Sequence, residues 1–499
     1  MYLPVPLFGF LCDRYSPQPL ALLAACLFGF GYILAAYTYR SGPPPDSTRG
    51  GDGFPFWVMI VAFVGIGAGT SCLYLCSVAT CAKNFAQAKY RGFMLAVPIA
   101  AFGLSGMWQS QIGAHFLYIR LADGRRGPVD VFRYFIFLAG LLIGVGVLGT
   151  LLLRIVDEEE LIEREVEQME RSGLLEHSEF FRPAPSRQQS TYGTMQNNNE
   201  QEHDQRHDSE ESLPNGTLTS SETDADSIEN LTQSLLLSKQ LTEPELAQQR
   251  KTWLLNHATH SFLTDNTMYL LAAGFLLLAG PGEAYINNVG TIIPTLTPAK
   301  YYSHNPDLDP PAGLPETHVS IIAVASTFAR LFTGTLSDLF APPSNPNAPP
   351  SARFHFSRLV LLLPSAGLLL LSFLLLAIPQ AVPDNPSWFL LSSALLGLGY
   401  GAAFSLVPII VSVVWGAENF ATNWGVVAMM PAGGAAIWSL VYSAFYSKGA
   451  DDDASTGEGE CRGFACYGYW AMGCTLSVAV AIILWSFAWR TWKQRRVVV

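Results

Sequence analysis

The sequence predicts an all-α membrane protein of two pseudo-symmetric halves, on three observations. Half of its 499 residues are hydrophobic and only 14% are charged, against about 25% in a typical soluble domain. Apolar runs of about 20 residues, long enough to cross a hydrocarbon core ~30 Å thick, recur along the chain. One pattern also occurs twice. In the first copy Gly65, Gly67 and Gly69 lead past Tyr74 to a polar turn, Lys83-Asn84-Phe85 to Arg91-Gly92, then to Pro98 and Phe102-Gly103-Leu104-Ser105. In the second, Gly397, Gly399 and Gly401 lead past Phe404 to Glu418-Asn419-Phe420, Trp424-Gly425 and Pro431, and in each copy the proline falls six residues after the glycine closing the turn. An internal duplication in an apolar chain points to paired membrane halves.

The apolar runs give ten full spans, near 18–38, 55–80, 91–118, 131–153, 264–293, 316–337, 357–379, 387–414, 425–446 and 464–490, after an apolar stub at 1–11. With no water in the bilayer each segment satisfies its own backbone, so these runs are helices. The expected organisation is an N-terminal membrane half (1–154), an acidic, largely disordered cytosolic loop (155–260), a C-terminal membrane half (261–490) and a basic cytosolic tail (491–499). The stub has neither the basic start nor the cleavage site of a signal peptide. It closes with Gly9 and Asp13-Arg14, and its partner in the second half is Gly334 to Asp338. Because a full span precedes that partner, symmetry leaves the first half about one and a half helices short. The expectation is a truncated start, with ten full helices and part of another.

The net charge of −11 belongs to one place. From Asp157 to Lys251 there are 22 acidic and 8 basic residues, so the rest of the chain is slightly basic. The acidity describes a loop and no cation-binding surface, and nothing suggests a nucleic-acid partner. A polar, Asn/Gln/Ser-rich composition keeps 183–243 disordered. Most of the eight cysteines sit in apolar segments, where a thiol packs as a small hydrophobe. Cys461 and Cys466 flank a polar loop and can pair there in an oxidising lumen. No metal-type Cys/His spacing occurs, and no cofactor is expected. The Gly65–Gly69 run lacks the preceding strand of a nucleotide fingerprint; small residues four apart let membrane helices approach closely.

Gly-x-x-x-Asp-Arg at a helix end, two repeated halves and a long central loop resemble the major facilitator superfamily. The Gly-rich helix, the Asn-Phe and Arg-Gly turn and Phe-Gly-Leu-Ser are similar to its nodulin-like branch, and within it to fungal monocarboxylate-transporter homologues of the vacuolar membrane. The resemblance implies a major-facilitator bundle and a gating loop at Gly9, Asp13, Arg14, Gly334 and Asp338. Ser16-Pro17 stand where that loop usually has Gly and a basic residue, and Leu339 replaces the second Arg. Lock chemistry is therefore expected more strongly at Asp13 and Arg14 than at Asp338. Alternation then makes the Asp13 loop, the Lys83–Arg91 turn, the central loop and the tail cytosolic. Basic residues in the turn and the tail agree, whereas Arg120, Arg125, Arg126 and Arg133 fall in a loop assigned to the lumen. Glu170, Leu174 and Leu175 match an acidic dileucine pattern for a sorting adaptor. The expected location is the vacuolar membrane, with the plasma membrane as the alternative.

Ionisable groups at bilayer depth cost roughly 2.5–3.5 kcal/mol unless they face a cavity or a partner. Glu283 lies mid-span after Pro281-Gly282, which can break the helix, as transport sites often do. Asn287 and Asn288 follow on roughly its face. Glu283 reads as a transport carboxyl or as a structural one. Arg330 reads as a cation for an anionic solute or as a side chain snorkelling to the interface. Gln109 and Gln111 sit two apart, so at most one faces a cavity. In monocarboxylate carriers, the resemblance implies, an Arg in a comparable span has an Asp four residues earlier. Here that position is Ser326, leaving Glu283 as the substitute proton-exchanging group.

Two functions compete: a secondary active or facilitative transporter of a small solute, for instance a monocarboxylate or other organic anion with protons as a candidate partner, and a non-transporting transceptor on the same fold. Costly charge inside the spans favours transport. An enzyme is not expected, since no nucleophile–base or paired acidic motif is present.

Overall fold

The computed structural model describes residues 3–45, 51–86, 88–120, 126–156, 243–296, 314–340, 356–379, 387–452, 461–495, 497 and 499. The N-terminal half holds α1 (Val5–Tyr15), α2 (Pro17–Arg40), α3 (Phe56–Asn84), α4 (Arg91–Phe116) and α5 (Val131–Leu152). Helix α6 (Glu243–Thr264) leads into the C-terminal half: α7 (Asn266–Leu296), α8 (Pro315–Phe340), α9 (Leu359–Ala377), α10 (Ser387–Val414), α11 (Phe420–Ala428), α12 (Met430–Asp452) and α13 (Gly468–Gln494). Ten spans are long and apolar enough to cross a membrane, α11 and α12 together making one. A short antiparallel pair, β1 (Tyr118–Arg120) with β2 (Arg126–Val129), joins α4 to α5. The expected sorting residues Glu170, Leu174 and Leu175 lie outside the described residues, as do Arg125 and the acidic body of the central segment.

Lipid tails are as apolar as Leu side chains, so small residues and interhelical hydrogen bonds hold such helices together. Gly69 lets α3 run close to the Ala24 carbonyl of α2, and the Cys72 thiol donates to the Leu20 carbonyl 3.2 Å away. In the second half three fully buried indoles of α13 are spent this way. Trp485 Nε1 donates to the Leu271 carbonyl (3.1 Å), Trp492 Nε1 to Thr267 Oγ1 (3.0 Å), and Trp470 Nε1 to the Trp438 carbonyl (3.0 Å). At the polar end of this pair of helices Arg495 meets Asp265 at 3.0 Å. Burial pushes the Asp265 carboxyl up, but hydrogen bonds from Thr267 and Arg495 outweigh it and hold the group below its ordinary range. Cys461 and Cys466 are joined by a disulfide between α12 and α13. By helix alternation this lies on the face opposite the Asp13 and Asp338 turns.

The expected break at Pro281 does not occur: α7 is one helix from Asn266 to Leu296. Proline lacks the N–H that would bond the carbonyl four residues back. That carbonyl, on Leu277, instead accepts from Ser477 Oγ on α13 at 2.7 Å, the kind of substitution that lets membrane helices keep a proline. Ser477→Ala should then leave a buried carbonyl unpaired and cost about 1 kcal/mol. Pro281→Ala in the same chain restores a backbone donor and should recover the loss, both read as thermal midpoints in detergent.

Candidate functional site

The residues of the site come from five helices in both halves. Thr70, Ser71 and Tyr74 of α3 and Ile99 and Phe102 of α4 face Arg330 of α8, Tyr400 and Phe404 of α10, and Trp424 and Ala428 of α11 around one cavity. Its empty space is about 510 Å³, counting the part that runs out to solvent. Tyr74, Phe102, Phe404 and Trp424 all belong to the duplicated stretch.

Arg330 is the charge in this cavity. It is 4% exposed, so it does not snorkel. Its Nη1 crosses between the halves to donate to the Ile99 carbonyl at 2.8 Å, and its guanidinium lies 6.0 and 5.9 Å from the Tyr400 and Phe404 ring centres. The backbone beneath it is pinned by Ser405 Oγ, which donates to the Arg330 carbonyl at 3.0 Å. Gly103 makes the reach possible, since a Cβ there would overlap Nη1. Thus Phe102-Gly103 supplies one wall residue and the gap through which Arg330 extends.

Glu283 stands behind the cavity wall and accepts a short hydrogen bond from the Tyr400 hydroxyl. It makes no direct ion pair with Arg330 among the described residues; Tyr400 touches both. Among the described residues, Arg330 Nε on this wall has no hydrogen-bond partner, and Tyr74 Oη and Trp424 Nε1, which lie beside each other, have no other partner. Buried polar groups are almost always paired, so unpaired ones mark a place for water or solute.

The other expected site residues lie elsewhere. Asn288 turns back to the Ala284 carbonyl (2.7 Å) and reaches Ser439 Oγ (3.4 Å), while Asn287 is exposed. On the unbroken α7 Asn287 keeps roughly the face of Glu283 but lies one turn further along, outside the cavity lining. Gln109 is half-buried and Gln111 exposed, both nearer the far end of α4 than Ile99 and Phe102, and neither lines the cavity. Tyr400, Tyr74 and Trp424 were not expected as site residues; their place in or beside the duplicated motifs is the signal that marks them.

At the face bearing the two Asp turns, the halves meet twice in a related way. Asp13, 4% exposed, accepts from the Thr422 backbone N–H and Oγ1, both at 2.7 Å, and pairs with Lys83 at 2.6 Å. Asp338 accepts from the backbone N–H groups of Gly92 and Phe93, both at 2.7 Å. Each carboxylate sits on the start of a helix in the other half, where unpaired amides and the helix dipole favour a negative charge. Asp338 is only partly buried and, among the described residues, makes no ion pair like that of Asp13 with Lys83. Arg14 stacks on Phe10 at 5.4 Å. Gly9 packs directly on the Ala421 backbone and Gly334 on that of Gly92, so the helices cross at their backbones. Arg358 Nε donates to Ser337 Oγ at 2.9 Å beside this second lock. Burial, with Arg91 nearby, pushes Arg358 down to about 10, so it stays charged at neutral pH. Helix α6 braces the first lock: Asn419 donates to Thr259 Oγ1 at 2.8 Å and the Phe262 and Trp415 rings meet edge-on.

Residues 3–439 match the Major Facilitator Superfamily profile. The chain is 55% identical over 515 residues to "Probable transporter mch1" of Aspergillus fumigatus, covering 100% of this chain and 79% of that protein. It is 26% identical over 500 residues to "Probable transporter MCH1" of Saccharomyces cerevisiae, covering 97% and 83%. Among solved structures, the proton:xylose symporter XylE bound to 6-bromo-6-deoxy-D-glucose superposes with a TM-score of 0.51 at 14% identity, over 98% of this chain and 83% of that one, a likeness of fold. The chain belongs to the major facilitator superfamily.

Proposed function

We propose that this protein is a secondary transporter of a small organic anion, a monocarboxylate above all, moving it by alternating access between its halves. The observation that carries this is Arg330, a buried cation with no direct carboxylate ion pair among the described residues, reaching from one half to the other inside a cavity that both halves line. An uncompensated buried charge is costly, and a solute carboxylate on the planar guanidinium offsets that cost with charge-assisted hydrogen bonds. A transceptor that moved nothing would have less use for it. Glu283, joined to the same site through Tyr400, is the proposed proton-exchanging group. The vacuolar membrane is the proposed location, with a sorting adaptor at the central segment as a proposed partner.

The Asp13 and Asp338 contacts hold one entrance shut. Opening it means withdrawing each carboxylate from its helix start, so these are the proposed gating residues with Gly9, Arg14 and Gly334.

A solute-uptake screen on vesicles containing the chain, with and without a proton gradient, tests transport against the transceptor alternative. Arg330→Lys keeps the charge but loses the planar fork. It should weaken uptake of carboxylates by about tenfold, roughly 1.4 kcal/mol, and of neutral solutes much less. Glu283→Gln should abolish gradient-driven uptake and leave solute exchange largely intact. Wild-type uptake by both variants would make these charges structural.

The gate has its own readout in amide hydrogen exchange. Asp338→Asn should speed exchange at Gly92 and Phe93, and Asp13→Asn at Thr422, several-fold each, from about 1 kcal/mol of lost charge–dipole attraction. Unchanged exchange in both variants would show that the carboxylates do not hold the gate.

A further inference from the structure

We infer that the body of the solute is a flat aromatic ring, so that the substrate class is the small aromatic monocarboxylates. The inference rests on the anion reading above and adds the part of the molecule that Arg330 does not hold.

The cavity wall is unusually rich in rings. Tyr74, Phe102, Tyr400, Phe404 and Trp424 line it, whereas Ile99 and Ala428 are its aliphatic residues. The rings are arranged in pairs contributed by opposite halves. Tyr74 and Phe102 of the N-terminal half lie 5.0 Å apart at 51°, and Tyr400 and Phe404 of the C-terminal half 4.5 Å apart at 39°. Rings that only filled a core would pack without leaving space; these enclose it. An aromatic guest entering between them meets further rings at the offset and edge-on geometries such groups favour, which an aliphatic guest of the same size cannot exploit.

The charge is placed to match. Arg330 already lies over Tyr400 and Phe404, so a carboxylate on its guanidinium brings the attached body alongside that ring pair. The Tyr74 hydroxyl and the Trp424 indole N–H, which lie beside each other on the wall, can serve the solute's remaining oxygen. Among the described residues no carboxylate side chain lines the cavity, so none of them favours an amino group beside the carboxylate.

Three probes separate ring, bulk and charge: benzoate, cyclohexanecarboxylate, which has the same charge and a similar bulk without the π-face, and neutral benzamide. Binding is read on the full chain in lipid nanodiscs from thermal stabilisation and Trp fluorescence. Benzoate should bind about tenfold more tightly than cyclohexanecarboxylate, a ratio expected from two or so aromatic contacts, and benzamide more weakly than either. Phe102→Leu and Phe404→Leu should each narrow the benzoate-to-cyclohexanecarboxylate ratio, a readout independent of how much folded protein each variant yields. Equal affinity for the two carboxylates would overturn the aromatic class while leaving the anion site standing. Benzamide binding as tightly as benzoate, or no binding of either carboxylate, would overturn the anion site and this inference with it.

Discussion

A single buried guanidinium constrains the middle of this protein. Arg330 is buried, and charge at that depth is tolerated only where the surroundings are built for it. Each neighbour bears on that. Ile99 offers a carbonyl from the other half, Gly103 clears the path, Ser405 fixes the backbone, and the Tyr400 and Phe404 rings lie close enough for their π-faces to attract the cation. Because the carbonyl belongs to one half and the arginine to the other, moving the halves apart must break this contact. A solute that replaces it is then coupled to the motion.

The second constraint lies at the face bearing the two Asp turns, where the helices touch at backbone glycines, which gives close packing without interlocking side chains. Across it two carboxylates accept from helix-start amides of the other half, where the helix dipole favours a negative charge. Helix α6 ties the end of the central segment to the Asn419 turn, one residue before α11 and three before Thr422.

Much of this was legible in the residues. The ten spans, the duplication and the lock carboxylates follow from apolar length and repeated motifs, which are local properties. Arg330 stood out because charge is rare in a span. The aromatic wall did not, since Tyr74, Phe102, Phe404 and Trp424 lie far apart in the chain until four helices bring them together. Pro281 misled for a definite reason: a proline breaks a helix when its orphaned carbonyl finds no partner, and Ser477, about 200 residues away, supplies one. Asn287 and Asn288 were misplaced because helical spacing fixes their face relative to Glu283 but not how far along α7 the cavity extends. The amide contacts of Asp338 were not legible, because the carboxylate binds backbone N–H groups that no motif displays.

The most direct test of the account is a structure of the chain with a bound monocarboxylate. The carboxylate oxygens should lie about 2.7–2.9 Å from the Arg330 guanidinium, with the Ile99 contact loosened and Glu283 still on Tyr400. A solute bound away from Arg330, with Arg330 closed onto Glu283 as a direct ion pair, would contradict it.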